Sequence, residues 1–285
     1  MSSAMTGTGK SQRILLGAVA VFFGLPLVVL LLFSLADGWV GTILPTEYTL
    51  ARWNTSLSSE EVLAAAGRSL LLTVCVVFID LVLVIPAAYV AVVTAARVRP
   101  IIHALAVVPF ALPWLVIAAG MQFTTAEIAP SLFGSFGLLT ATIAAATFPY
   151  LYWAVENALL TNRAQELSEA AAVSGAGGLH TIIRVIIPSI RTGIMSGTLL
   201  VAASAFGEFA ITMTLAGAAY ETLPLWALRM FSGRNPGAGG ELAAITFTTF
   251  IAMFVLSLLI TRIDTPRSNT KAARAFALVP ATKGK

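Results

Sequence analysis

Six long apolar blocks, separated by short polar segments, constrain this chain more than any other feature of its sequence. A membrane-crossing helix needs about 20 apolar residues, because about 30 Å of hydrocarbon are bridged at about 1.5 Å per residue. The six blocks are residues 14–36, 69–93, 101–123, 137–160, 193–216 and 242–263. None shows the period-2 alternation that strands of a membrane barrel show. The sequence therefore predicts an all-α membrane protein with six transmembrane helices.

The composition excludes a water-facing globule. Hydrophobic residues make up 58% of the chain and charged residues 11%, and the mean hydropathy is +0.91. Soluble domains are about 45–50% apolar and about 25% charged. Although the net charge is +4, no basic patch is interleaved with aromatic residues, so we expect no nucleic-acid partner.

The basic residues predict the orientation in the membrane. Most of the 17 lysines and arginines lie on one side if the N-terminus is cytoplasmic, and Arg52, Arg68, Arg229 and Arg234 lie on the other. The positive-inside rule then places both termini in the cytoplasm. We divide the chain into a tail (residues 1–13), a six-span transmembrane domain (14–263) with a cytoplasmic loop (161–192), and a second tail (264–285).

Three acids fall inside the apolar blocks, where a carboxylate is costly and usually faces the bundle interior or a water-filled path. Glu156 is near the cytoplasmic end of its block, so we expect a structural role in which it reaches the membrane interface or pairs with Arg163. Asp80 is central and fits either a helix-to-helix hydrogen bond or a pathway role. Glu208, flanked by Phe206 and Phe209, is predicted to line the translocation path or its gate.

Catalytic machinery is sparse. The two histidines, His103 and His180, lack Cys, Asp or Glu at metal-ligand spacing, and no nucleophile motif is present. We therefore expect no catalytic, metal or cofactor site in this chain. Two functions without catalysis remain open at this point. One is a proton-coupled secondary transporter that uses Asp80, Glu156 and Glu208 as a relay, and the other is a membrane scaffold.

The loop between the fourth and fifth blocks carries the most specific pattern. Residues 168–178 predict a short helix that Ser168 caps, with Glu169 in its first turn and a left-handed Gly175 at its end. Alanines give this helix a thin face. A second amphipathic stretch, residues 179–187, is predicted to stop at Pro188.

These residues resemble the signature of permease subunits of binding-protein-dependent ABC importers of the type I fold. The matching positions are Glu169, Ala170, Ala171, Gly175, Val185, Ile187 and Pro188. Their place in the last cytoplasmic loop, ahead of two final spans, also agrees with that family. The six-block layout extends the resemblance over most of the chain.

The resemblance implies a set of partners and roles. Its short helix would be a coupling helix that docks into a dimer of cytoplasmic ATPase subunits, which bind the ATP. The residues implied in this contact are Glu169, Ala170, Ala171, Ala172, Gly175 and Pro188. A second permease subunit, identical or related, would complete the pathway, and an extracytoplasmic binding protein would dock on residues 218–240, where 223–230 predict a short helix. The location implied is the cytoplasmic membrane of a prokaryote.

The solute is less constrained. The Phe-Gly-Glu-Phe stretch at 206–209 is more similar to permeases for polyamines, aminophosphonates, ferric iron and oxyanions than to sugar permeases. We therefore rank a polyamine or aminophosphonate first, ferric iron or an oxyanion second, and a sugar third.

Overall fold

The computed structural model describes residues 8–232 and 238–264, apart from 38, 40 and 41. Most of both predicted tails lies outside these ranges. The α-helices in them are α1 (Thr8–Leu35), α2 (Ala51–Ser58), α3 (Glu60–Tyr89), α4 (Arg99–Ala111), α5 (Trp114–Ile128), α6 (Phe136–Thr161), α7 (Ala164–Val173), α8 (Gly178–Thr181), α9 (Ile187–Ser189), α10 (Arg191–Phe206), α11 (Ala210–Leu215), α12 (Leu223–Ser232) and α13 (Ala238–Asp264). Two π-helical segments, Val90–Thr94 and Ile182–Ile186, follow α3 and α8 directly.

Four of these helical segments are long and apolar enough to cross a membrane: Ser11–Leu35, Glu60–Thr94, Phe136–Thr161 and Gly239–Leu258. The number rises to at most 6 if each of two bent helix pairs counts as one span, namely Ala96–Ala111 with Trp114–Ile128 and Gly178–Ser189 with Arg191–Phe206. This confirms the predicted class, an all-α membrane protein. The first, second, fourth and sixth blocks correspond to continuous helices, whereas the third and fifth are broken.

The third block bends at Pro113. Helices α4 and α5 meet there at 103°, so the prediction of one continuous helix over 101–123 was wrong. The residue before a proline is driven out of the α-helical region by the proline ring, and Leu112 is accordingly extended, with φ −112° and ψ 133°. Among the described residues, four prolines lie beyond the first turn of their α-helices: Pro26, Pro86, Pro109 and Pro149.

The fifth block breaks after Phe206. Helix α10 has 16 residues, which gives a length of about 24 Å and leaves it short of a full span. The chain resumes helical structure in α11, which packs against α5. The bent third block and the broken fifth block therefore meet on one side of the molecule.

The core lies between α3, α6 and α10, which pack closely against one another. Its largest fully buried side chains on these helices include Leu72, Val76, Leu139, Ile143, Leu151, Tyr152 and Val201. Helix α1 packs on α13 at the periphery and leaves side chains such as Phe22 and Phe23 exposed, as expected of a helix that faces lipid. The loop over residues 161–192 is thus held between two core helices, α6 and α10.

Candidate functional site

Helix α7 is the short helix that the loop was predicted to contain, but it begins at Ala164 rather than at residue 168. Arg163 has a left-handed backbone, with φ 49°, and turns the chain sharply out of α6. Glu166 therefore lies in the first turn. The predicted capping role of Ser168 was wrong, because this residue lies inside the helix and its hydroxyl is 2.8 Å from the Tyr89 hydroxyl.

Helix α7 ends at Val173, before residue 178, but the left-handed Gly175 that was predicted to stop it is present. Gly175 has φ 81°, a left-handed conformation that L side chains rarely adopt. The Ala176 N–H donates to the Ala171 carbonyl at 3.0 Å, and the Gly175 N–H donates to the Ala172 carbonyl at 2.9 Å. These two bonds form a Schellman motif, which satisfies the last carbonyls of the helix.

Helix α7 has two different faces. Ala164 is buried, and Leu167, Ser168 and Ala171 are half-buried, a spacing of three and four residues that marks one face of a helix. The opposite side is exposed and carries Glu169, Ala170, Ala172 and Val173, the last of them 91% exposed. The residues implied in coupling therefore lie on the accessible side, except that Ala171 is half-buried.

The segment after α7 has the same two-sided character. Leu179 and Ile183 are exposed, whereas Thr181 and Ile186 are buried. The prediction that Pro188 stops this segment was wrong. A proline fits the first turn of a helix, and Pro188 lies in α9. The helical path instead breaks at Ile190, and the axis turns by 77° into α10.

Glu169 has one polar partner within its own helix: the Gln165 amide donates to its carboxylate at 3.1 Å. A cavity of ≈ 390 Å³ lies at the base of α7, lined by Val92, Leu159, Leu160, Arg163, Ala164, Gln165, Glu166 and Glu169. Its lining combines acids, an arginine, an amide and apolar groups. The cavity therefore presents charged, polar and apolar groups side by side.

Glu208 is buried, and its carboxylate binds the start of α11. Its two oxygens accept hydrogen bonds from Ile211 N–H at 2.6 Å, Thr212 N–H at 3.0 Å and the Thr212 hydroxyl at 2.9 Å. It caps this helix because the first N–H groups of any helix lack partners within it. Of its aromatic neighbours, Phe206 is half-buried and Phe209 is 48% exposed.

Asp80 is also buried and links two core helices. The Thr147 hydroxyl of α6 donates to its carboxylate at 3.0 Å. Asp80 lines a cavity of ≈ 310 Å³ together with Ile79, Leu83, Val84, Ala87, Ile102, Ala141, Ala144, Ala145, Phe148 and Tyr152. The helix-to-helix hydrogen bond that the sequence allowed is thus present, and the residue also faces a cavity.

Glu156 belongs to a polar cluster that joins α6 to α4. Its carboxylate accepts a hydrogen bond from Arg99 Nε at 2.7 Å, lies 2.7 Å from His103 Nε2 and accepts a bond from the Tyr152 hydroxyl at 3.3 Å. The expected partner, Arg163, instead lies 3.5 Å from Glu166. Glu156 therefore has a structural role as predicted, but the predicted partner was wrong. Among the described residues, no group of three or more His, Cys, Asp or Glu side chains is placed to hold a metal ion.

Two glycines hold α10 against α6, a contact that sequence reasoning missed. A Cβ at Gly193 would lie 2.5 Å from the Ala158 Cβ, and one at Gly197 would lie 2.8 Å from Leu151 Cδ1. Small residues four apart allow membrane helices to approach closely. The Gly-x-x-x-Gly spacing was the sequence signal that could have located this contact.

The helix predicted over 223–230 is present as α12, which packs against α3 and α13. Arg229 of α12 bonds Glu221 at 2.6 Å and Glu61 at 3.1 Å, both on the predicted outer side. The hydrogen bond to Glu221, with that to Glu61, holds the pKa of the Arg229 guanidinium above its usual value. Phe231, at the end of α12, is 78% exposed.

The fold and the site therefore define a multi-pass helical membrane protein with a short two-faced helix between two of its core spans. Residues 81–265 match the model of a family described as "Binding-protein-dependent transport system inner membrane component". The chain belongs to this family, so it is an ABC importer permease subunit of a binding-protein-dependent system. The resemblance drawn from the sequence is thereby confirmed at the level of the family.

Individual relatives agree with this assignment. The chain is 26% identical over 258 residues to the diacetylchitobiose uptake system permease protein DasC of Streptomyces coelicolor, covering 84% of this chain and 89% of that one. It is 31% identical over 172 residues to a probable molybdenum ABC transporter permease protein of Haloferax volcanii, covering 57% and 62%. A bacterial ABC transporter involved in the import of the acidic polysaccharide alginate shares the fold, with a TM-score of 0.71 at 18% identity, covering 93% of this chain and 99% of that one.

Proposed function

We propose that this chain forms half of a solute pathway driven by ATP, and that α7 docks into a cleft of a cytoplasmic ATPase subunit. The observation that carries the proposal is the two-sided α7: its inner face packs on the protein, and its outer face presents Glu169 and small alanines. Small side chains let another protein approach the helix backbone, and Glu169 offers a carboxylate to a basic or polar group there. Exposed Val173 and Leu179 add apolar area beside it.

The proposed work of the chain is mechanical. Closure of two ATPase subunits around ATP moves the coupling helices together, and the spans then alternate between inward-facing and outward-facing forms. ATP binds to the partner subunits, so this chain itself needs no cofactor and catalyses no reaction. A second permease subunit supplies the other half of the path. The extracytoplasmic binding protein docks on the outer surface that includes α12, and both termini lie in the cytoplasm.

The proposed solute is a small polar molecule, and two observations bear on its class. The relatives are named for diacetylchitobiose and molybdenum uptake, which favours a saccharide or a tetrahedral oxyanion over the polyamine or aminophosphonate that the sequence ranked first. Glu208, which would have suited a cation, gives both carboxylate oxygens to the start of α11. We therefore place the saccharide and oxyanion classes ahead of a cationic solute.

The geometry gives a proton relay little support. Asp80, Glu156 and Glu208 each bond different groups: a threonine, an arginine and histidine pair, and a helix N-terminus. No described hydrogen bond joins any two of them. Membership in a binding-protein-dependent family also favours coupling to ATP.

The test is to reconstitute the chain in proteoliposomes with a second permease subunit and with the ATPase and binding protein of the same transport system. Uptake of diacetylchitobiose, molybdate and spermidine is measured together with ATP hydrolysis. Glu169→Lys reverses the charge on the docking face, and Gly175→Pro imposes φ near −65° where the chain has φ 81°. Both variants are expected to remain inserted but to lose uptake driven by ATP.

Glu60→Lys is the matched control, since it makes the same charge change at an exposed residue at the start of α3, on the predicted outer side. It should keep normal uptake. Normal ATP-driven uptake in both Glu169→Lys and Gly175→Pro would overturn the docking proposal.

A further inference from the structure

Helix α7 packs between two π-helical segments. One is Val90–Thr94, which follows α3, and the other is Ile182–Ile186, which precedes α9. In each segment a backbone N–H reaches back five residues, from Ala95 to Val90 at 2.7 Å and from Ile187 to Ile182. Such segments interrupt the regular α-helical ladder and are frequent at functional sites.

The covalent connections of α7 to the core helices are therefore irregular at both ends. Arg163 takes a left-handed conformation between α6 and α7. Between α7 and α10 the chain passes through Gly175, a π-helical segment and the 77° turn at Ile190. A movement of α7 is poorly transmitted along such a path, because each irregular residue can absorb part of it.

One polar contact bypasses these irregular segments. The Tyr89 and Ser168 hydroxyls lie 2.8 Å apart. Tyr89 is only 7% exposed and is the last residue of the regular part of α3, just before the π-helical segment. Among the described residues, this is the one hydrogen bond that joins a side chain of α7 to a side chain of another helix. It connects α7 directly to the rigid part of α3.

Helix α3 leads from this contact into the membrane. Asp80 lies nine residues before Tyr89, about 13 Å along the helix axis. It lines the cavity between α3, α4 and α6 and bonds Thr147 of α6. A displacement of Tyr89 along α3 would therefore reach both the cavity and the core contact with α6.

We propose that Tyr89 and Ser168 are positioning residues whose hydrogen bond transmits the movement of α7 to α3, and through it to the transmembrane core. The inference rests on the proposed function of α7 as the helix that docks on the ATPase. It assigns these two residues to coupling, whereas Glu169 and the alanines of the outer face are assigned to docking.

The experiment measures solute taken up per ATP hydrolysed in the reconstituted assembly, with whichever of the three solutes the wild type transports. Tyr89→Phe and Ser168→Ala each remove the bond and little else. Two controls repeat the same chemistry elsewhere: Tyr150→Phe in α6, and Ser174→Ala, whose hydroxyl donates only within its own helix, to Ala170 at 3.0 Å. The apparent melting temperature of every variant is recorded in detergent.

Each single variant is expected to lower the ratio of uptake to hydrolysis about fivefold, the effect of one lost hydrogen bond. The double variant should fall no further, because both changes remove the same contact. The controls should keep the wild-type ratio, and ATP hydrolysis should persist in all variants.

Three results would overturn the inference alone while the wild type remains coupled. They are an unchanged ratio in both single variants, a double variant whose loss is the product of the single losses, and a loss that follows the melting temperature across all variants. A wild-type assembly without ATP-driven uptake would instead overturn the proposed function, and this inference with it.

Discussion

The contact between α10 and α6 is tight enough at Gly193 that one added methyl group should weaken it. In Gly193→Ala the new Cβ would lie 2.5 Å from the Ala158 Cβ and 2.6 Å from the Ala154 carbonyl oxygen. Carbon atoms pack best at about 3.5–4.0 Å. The two helices must therefore separate by about 1 Å at this point, and neither neighbouring atom belongs to a long side chain that could rotate away.

Overpacking of this kind costs about 1–3 kcal/mol. Replacing glycine by alanine in a helix also stabilises the protein by up to about 1 kcal/mol, since alanine has less freedom to lose. Gly67→Ala separates the two effects: Gly67 lies in α3, and a Cβ there would meet no heavy atom within 4 Å. The difference in stability between Gly193→Ala and Gly67→Ala is then the steric cost, expected to be about 1–3 kcal/mol.

The assay is thermal unfolding of the detergent-purified chain at one fixed scan rate, because membrane proteins often unfold irreversibly. Gly193→Ala should melt below the wild type, and Gly67→Ala at or above it. Equal melting temperatures for the two variants would refute the argument, because α10 would then have room for a methyl group next to α6.

Three further predictions concern the polar contacts. Glu208→Ala leaves two N–H groups of α11 without their acceptor and should lower the free energy of unfolding by about 1–3 kcal/mol, more than Thr212→Val, as measured by the same melting assay. Arg99→Gln removes the charged partner of buried Glu156 and should lower the melting temperature. The double variant Glu156→Gln with Arg99→Gln should recover part of this loss. Stability losses of the two single changes that simply add in the double variant would contradict the pairing. Arg229→Gln should cost under about 1 kcal/mol, because this ion pair is half exposed; a larger loss of stability would mean that α12 depends on it.

The loop shows what local sequence rules can predict. The end of α7 followed from Gly175, because a left-handed glycine after a short run of alanines is a local signal. The start did not, because Arg163 takes a left-handed conformation that is uncommon for a non-glycine residue and that no local sequence signal marks. The helix therefore extends four residues further towards α6 than its capping signals indicated.

Of the two breaks within the spans, one could have been predicted from a local sequence signal and the other could not. Pro113 is a local signal, and the bend at this residue could have been predicted from the restriction that proline places on Leu112. The break after Phe206 depends on Glu208, which reaches forward to the N–H groups of Ile211 and Thr212. The length and apolarity of the fifth block favoured one continuous span there. These two properties do not indicate that an acid within the block will cap a second helix.

Contacts between residues far apart in the chain could not be predicted from the sequence. Tyr89 and Ser168 are 79 positions apart, and Arg99 and Glu156 are 57 apart. A single sequence carries no signal for which of several polar residues will meet across such distances. The pairing of Glu156 with Arg163 was expected because they are near in sequence, but the turn at Arg163 points that side chain towards Glu166.

The two acids predicted for the translocation path are no longer equivalent. Glu208 gives both carboxylate oxygens to the N–H groups and hydroxyl of its own neighbouring helix, so a solute would have to displace these bonds to reach it. Asp80 bonds one hydroxyl, that of Thr147, and lines a cavity. A carboxylate with a remaining oxygen next to open space can interact with a passing solute at lower cost than one whose bonds hold a helix end. Of the two acids, Asp80 is therefore the one that we propose for the pathway.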